Sequence, residues 1–289
     1  MKQKRWLSRR MFRPECRVGL AALLLTCTLS ACGSFGRAAE AKERLAKAQA
    51  MFAERCKTAG EKIHRRVEDV EGVLLLKLRP EGVNYGDQFA LTDPYGADLG
   101  GQAYIGSFLR GNYRTVGNST PAPGSPPRLG YSYVEVIDPD DGQRYRYTGS
   151  VREVEATSSI LIGGNGQKFK STSFVLDKVP APGPAPRHGV TYDDISTRED
   201  REHWIAGSSL KVIDTQTNEV IAERVGYMVD LGQGNNSGGR SPWLHAASHA
   251  CPSFARNPLV PLPTEQAARA QIRQTQDFVE KVLEPRKKP

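Results

Sequence analysis

The chain has 289 residues, with 40 Lys and Arg against 32 Asp and Glu for a formal net charge of +8, and 38% hydrophobic residues. That length can bury a sizeable core, and an ordinary apolar content excludes a fibrous or wholly disordered chain. Residues 1–31 hold seven basic side chains against Glu15 alone, so they carry +6 and the remaining residues 32–289 carry 8 − 6 = +2 with mixed signs. A nucleic-acid partner needs a clustered basic patch, and none is expected here.

The cationic start is followed by "VGLAALLLTCTLSA", Val18 to Ala31, an apolar run of 14 residues. At 1.5 Å per residue it is too short for a hydrocarbon core of roughly 30 Å, so it predicts a cleaved secretory signal over 1–31 and no permanent span. Leu29-Ser30-Ala31-Cys32 resembles the lipobox of bacterial lipoproteins. The resemblance implies that Cys32 becomes the first mature residue and carries acyl chains that hold the protein on a membrane. Each buried methylene adds about 0.8 kcal/mol, and three chains exceed the two signals that stable anchoring needs. Cys27, after Leu24-Leu25-Thr26, is a poorer match and is discarded with the signal. Gly33 and Ser34 follow Cys32 where an Asp would retain such a protein in the inner membrane, which implies an outer-membrane, periplasm-facing address. Ser8-Arg9-Arg10-Met11-Phe12 is similar to the start of a twin-arginine export motif, but Arg13 and Pro14 depart from it and Met11 could itself be the start. The export route stays open.

Residues 32–40 are expected to link the anchor to a single α+β domain over 41–289. Within 38–70, Leu45, Ala48, Phe52, Cys56, Ala59, Ile63, Val67 and Val70 recur at steps of three and four, which predicts one long amphipathic helix, weakened at Gly60. Interspersed acids and bases on its other face favour packing on a sheet over lying on a membrane.

Beyond Gly72 come short β-type segments divided by Gly, Pro, Asn and Asp: 73–78, 103–109, 131–137, 143–151, 173–179, 209–214 and 219–230. Such punctuation predicts a mainly antiparallel sheet. Pro139 to Gly142 and Thr215 to Asn218 read as hairpin turns, each entered through Val-Ile-Asp, a weak sign of a repeated hairpin unit. The Pro-rich stretches 120–130 and 179–189 read as extended loops. A C-terminal helix is expected over 264–284, opened by Pro263-Thr264 and closed by Pro285, with Ala268, Ile272, Thr275, Val279 and Val282 on one face.

With the signal removed and Cys32 acylated, Cys56 and Cys251 remain, and an even pair in an oxidising compartment reads as a disulfide. His245 and His249 have a helical metal-site spacing, but no Glu follows His245 and the flanking "GQGNNSGGRSP" reads as loop, so no metal is expected. Asp138-Pro139-Asp140-Asp141-Gly142 lacks the Glu of a calcium loop, and Gly163 to Gly166 lack the Lys-Ser/Thr and helix of a phosphate cradle. No G-x-S-x-G elbow is present, and neither a cofactor nor an enzymatic activity is expected. The segment 84–114 mixes Tyr85, Phe89, Tyr95, Tyr104 and Tyr113 with Gly, Asn, Asp and Arg. That vocabulary suits either a protein-recognition loop or a long loop packing its own tyrosines. On the first alternative, Tyr85, Tyr95, Tyr104 and Arg110 are the candidate partner contacts.

The segments "ERCKTAGEKIHRRVEDVEGVLLLKLRP", "NYGDQFALTDPYGADLGGQAYIGSFL" and "TNEVIAERVGYMVD" resemble proteobacterial outer-membrane lipoproteins, some encoded beside phospholipase effectors of the type VI secretion system as periplasmic immunity proteins. The resemblance covers most of residues 50–252 and implies a binding protein that occludes a toxic lipase. An envelope-structural lipoprotein contacting peptidoglycan or an envelope assembly is the alternative.

Overall fold

The computed structural model describes residues 36, 38–81, 87–89, 100–111, 129–158, 166–254 and 264–287. The signal, Cys32, Tyr85 and Tyr95 lie outside them. Among the described residues no helix is long and apolar enough to cross a membrane. The chain divides after Lys47 into two units. Residues 38–47 of the first are helical and exposed apart from half-buried Leu45.

The second unit is α+β. Helix α1, residues 38–56, reaches it at Ala48 and is followed by β1 (Gly60–Ile63), β2 (Val67–Val70), β3 (Gly72–Leu75), α2 (Gly101–Leu109), β4 (Tyr133–Ile137), β5 (Arg144–Thr157) and β6 (Lys168–Pro180). Then come β7 (His188–Asp194), α3 (Arg198–Glu202), β8 (Ile205–Asp214), β9 (Glu219–Val229), α4 (Pro242–Ala246), β10 (Ala250–Cys251), α5 (Thr264–Val282) and β11 (Leu283–Pro285).

The main sheet runs β1-β9-β8-β7-β3-β4-β5-β6, with β10 also on β9. β3 lies parallel to both its neighbours, while every other pair in this sheet is antiparallel. A mainly antiparallel sheet is therefore correct, with a parallel centre. Buried Val73, Leu74 and Leu75 fit that centre, because a strand flanked on both sides reads as a continuous apolar run. Both expected hairpins form, β4 to β5 and β8 to β9. In the first turn the carboxylates of Asp138 and Asp141 accept from the backbone N–H groups of Asp140 and Gln143.

Three expectations need correction. The helix expected over 38–70 stops at Cys56, and Gly60, at φ +150°, starts a strand. Residues 60–63 pair with β9, and 67–70 with β11, so long-range ladders override a helical period that four residues at a time cannot distinguish from a strand. The amphipathic stripe is correspondingly confined to the helix end, where Ala48 is buried and Met51 and Phe52 pack half-buried with Ile205, Tyr227 and Val229. Residues 103–109, expected as a strand, lie in α2: Tyr104, Ile105, Phe108 and Leu109 bury one side at helical spacing. Finally, β7 lies in a segment with no expected strand, although Val190 and Tyr192 alternate there with half-buried Thr191.

The larger core occupies one face of the sheet, and the α1 cluster with Ile205 lies on the other. Val73 and Leu75, Val134 and Val136, Val190 and Tyr192, and Leu210 and Val212 meet Phe108 of α2 and Phe278, Val279 and Val282 of α5. The opposite face differs in kind. Cross-strand neighbours there include Leu74, Glu135 and Arg146 on one side and Thr191, Lys211 and Glu223 on the other. Its charges are paired: Glu135 accepts from Arg146 at 2.8 Å and lies 2.9 Å from Arg144, Lys211 reaches Asp193 at 3.0 Å, and Ser209 donates to Glu223 at 2.6 Å.

Candidate interaction site

Helix α2 positions Arg110. The Arg110 N–H donates to the Gly106 carbonyl at 3.0 Å as the helix ends, and Tyr131 N–H donates to the Phe108 carbonyl at 2.9 Å, tying that end to β4. The Arg110 side chain folds back over the preceding turn: a methyl group on Gly106 would stand 3.1 Å from its Nη2 and 3.4 Å from its Nε. Glycine thus clears the place in which the guanidinium lies.

That guanidinium is half-buried, and its Nε is buried without an acceptor among the described residues. Burial pushes its pKa below the ordinary arginine value, and no carboxylate among the described residues opposes the shift. The other deeply placed arginines are engaged. Arg79 lies 3.9 Å from the Tyr192 ring centre, Arg201 pairs with Asp194 and lies 5.6 Å from the Trp243 ring, and Arg224 donates to Gln274 at 2.8 Å. A desolvated cation whose Nε–H has no acceptor among the described residues costs free energy and is a ready donor to a carboxylate or phosphate.

The other candidate residues separate clearly. Tyr104 is 2% exposed and packs edge-on against Phe108 at 5.3 Å, so its ring serves the core and presents nothing to a partner. Tyr85, Tyr95 and Cys32 fall outside the described residues. Cys56 and Cys251 form the disulfide, joining the end of α1 to β10 across 195 residues.

The His245 and His249 segment is partly helical, with Pro242 opening α4, a signal that the flanking glycines obscured. Among the described residues no group of three or more His, Cys, Asp or Glu could hold a metal ion. Burial lowers the His245 pKa, and nearby Arg240 adds to the shift. The glycine loop before it is organised by Asp230, wholly buried, which accepts from the N–H groups of Gly232 and Gly234 at 2.9 Å and pairs with Arg240.

One cluster had no signature in the sequence. Lys77 Nζ lies 4.4 Å above the Tyr192 ring that Arg79 also contacts, placing two cations on one aromatic at the end of β3. Lys77 also donates to the Tyr192 carbonyl at 3.3 Å. These residues are 113 to 115 positions from Tyr192 in the sequence, so only the β3–β7 pairing brings them together. No protein-family model, curated protein or solved structure matches this chain.

Proposed function

We propose that this chain is a lipid-anchored protein of the periplasmic face of the outer membrane, which works by binding and occluding a protein partner, a phospholipase effector delivered by type VI secretion. The observation that carries the binding role is Arg110, a half-buried guanidinium with no acceptor at its Nε among the described residues and a glycine cleared for it. A group held in that state loses solvation in the free protein and regains hydrogen bonds only when an anionic group is brought to it, which is how interface arginines contribute. The Cys56–Cys251 disulfide supports an oxidising compartment. The lipobox at Leu29 to Cys32 supports the anchor, and the resemblance over 50–252 supports the class of partner.

The test is protection. Cells whose periplasm receives such a phospholipase are expected to survive when the full chain is expressed, and to lose that protection with Arg110→Glu at unchanged protein level. Equal killing with and without the chain, together with no complex between the chain and the purified lipase, refutes the proposal. Cys32→Ser is expected to release the protein from membranes, and an unacylated mature N-terminus by mass spectrometry refutes the anchor.

A further inference from the structure

The β5–β6 hairpin outruns the sheet. β4 pairs only with Arg144 to Tyr147 of β5, whereas β5 and β6 stay paired without a register break from Tyr145 and Pro180 out to Thr157 and Lys168. β6 ends the strand order and has no second neighbour among the described residues.

The direction of its free backbone groups follows from two bonds. Ser158 N–H donates to Gln167 and Ala181 N–H to Arg144, each at 2.9 Å. Bonded pairs alternate along an antiparallel ladder. The odd-numbered residues of β6 therefore bond to β5, and the N–H and C=O groups of Lys168, Lys170, Thr172, Phe174, Leu176 and Lys178 face the open edge.

Edge strands are usually guarded by lysine, proline or a bulge. Here Lys168 and Lys170 reach back to Glu155 at 2.8 Å and Glu153 at 2.6 Å on β5, and Lys178 to Asp138 at 2.6 Å. The pairing has no bulge, and proline appears only at the last position, Pro180. Phe169 is left 51% exposed on this strand.

We propose that β6 is a self-association edge, on which β6 of a second copy pairs antiparallel with the two-fold axis at Thr172. This proposal stands apart from the binding of an effector. A two-fold contact must be self-complementary, and the sequence of β6 selects the register. With Thr172 opposite its own copy, Lys170 faces Phe174, Lys168 faces Leu176, Phe169 faces Val175, Ser171 faces Ser173 and Gln167 faces Asp177. No lysine meets a lysine, and the exposed Phe169 ring gains an apolar cross-strand neighbour. Moving the axis one residue towards the C-terminus sets Lys168 against Lys178, and moving it two sets Lys170 against Lys178. Both are disfavoured by like charge, as is moving it two towards the N-terminus, which sets Lys170 against its own copy, while moving it one that way sets Phe169 against Ser173 and forfeits the apolar pair.

The test uses the full chain, solubilised from membranes in detergent. Thr172→Cys is expected to give a disulfide-linked dimer on non-reducing gels, because the axis places residue 172 beside itself at a spacing a disulfide accepts. Ser150→Cys on β5 is expected to remain monomeric. Light scattering is expected to show a dimer for the parent chain and about tenfold weaker association for Thr172→Pro, whose lost N–H faces the open edge and not β5. Near-ultraviolet circular dichroism checks that this variant stays folded. A monomeric parent chain, with no crosslink formed by the Thr172→Cys variant, overturns the proposal, as does a dimer equally strong in folded Thr172→Pro.

Discussion

Cys56 closes the last turn of α1 and Cys251 lies on β10 opposite Tyr227, so their disulfide ties the helix end to the strand beside β9, on which that helix packs. The link closes 195 residues, for which chain entropy sets an upper value of about 5 kcal/mol, and removing a native disulfide commonly costs about 2–5 kcal/mol. Cys56→Ala with Cys251→Ala is expected to lower the unfolding midpoint in urea by a corresponding amount. Reduction with dithiothreitol is expected to shift the parent chain to the same midpoint.

Glu135 is fully buried on the face opposite the main core, between Arg146 and Arg144. The Arg146 guanidinium also lies 3.8 Å from the Tyr133 ring centre. Removing one partner of a buried pair costs about 3–5 kcal/mol when the other is stranded, but Arg144 remains for Glu135, so Arg146→Ala is expected to cost about 2 kcal/mol. Chemical denaturation measures it. A double variant Glu135→Leu and Arg146→Leu is expected to recover part of the loss, since the buried carboxylate left with one partner disappears while Arg144, partly exposed, can turn to water.

His188 is half-buried and pairs in register with Asp214, while Arg187 and Arg65 lie close by. Burial pushes its pKa below the ordinary 6.5, Asp214 opposes the shift, and the two arginines add to it. The unfolded chain therefore takes up this proton at a higher pH than the folded one. Its contribution is complete above about pH 6.5 and is lost as pH falls through that value towards the lower folded pKa. His245 shifts in the same direction through burial. Stability measured by urea unfolding is expected to fall between pH 7 and pH 5, and His188→Gln with His245→Gln is expected to flatten that slope.

How legible the fold was depends on where each element finds its partners. The hairpins β4–β5 and β8–β9 announce themselves because Val136-Ile137-Asp138 and Val212-Ile213-Asp214 lead into turns whose residues satisfy themselves locally. β1 and β2 do not, because Ile63, Val67 and Val70 fit a helical spacing and only pairing with β9 and β11 makes them strands. The disulfide was accessible by counting cysteines, whereas the Lys77–Tyr192–Arg79 stack depends on β3 lying beside β7. At the candidate site the sequence pointed to Arg110 and Tyr104 alike. Burial separates them, since an aromatic completes a core while a guanidinium in the same helix cannot.

Arg110 and Gly106 supply the sharpest contrast between structural and binding roles. Arg110 makes no side-chain hydrogen bond or ion pair among the described residues, so Arg110→Ala strands no partner and the lost packing is offset by the lost desolvation cost, leaving stability within about 0.5 kcal/mol, in contrast to Arg146→Ala. Gly106→Ala keeps the charge but puts a methyl group 3.1 Å from Nη2, so the guanidinium must shift by a few tenths of an ångström. Within a helix the same change favours folding by up to about 1 kcal/mol. Gly106→Ala is therefore expected to hold or raise the thermal midpoint while weakening lipase binding about tenfold in calorimetric titration, a difference of about 1.4 kcal/mol. If Gly106→Ala binds as tightly as the parent chain while Arg110→Ala does not, the charge matters and its position does not. If both bind normally, Arg110 is not the anchor.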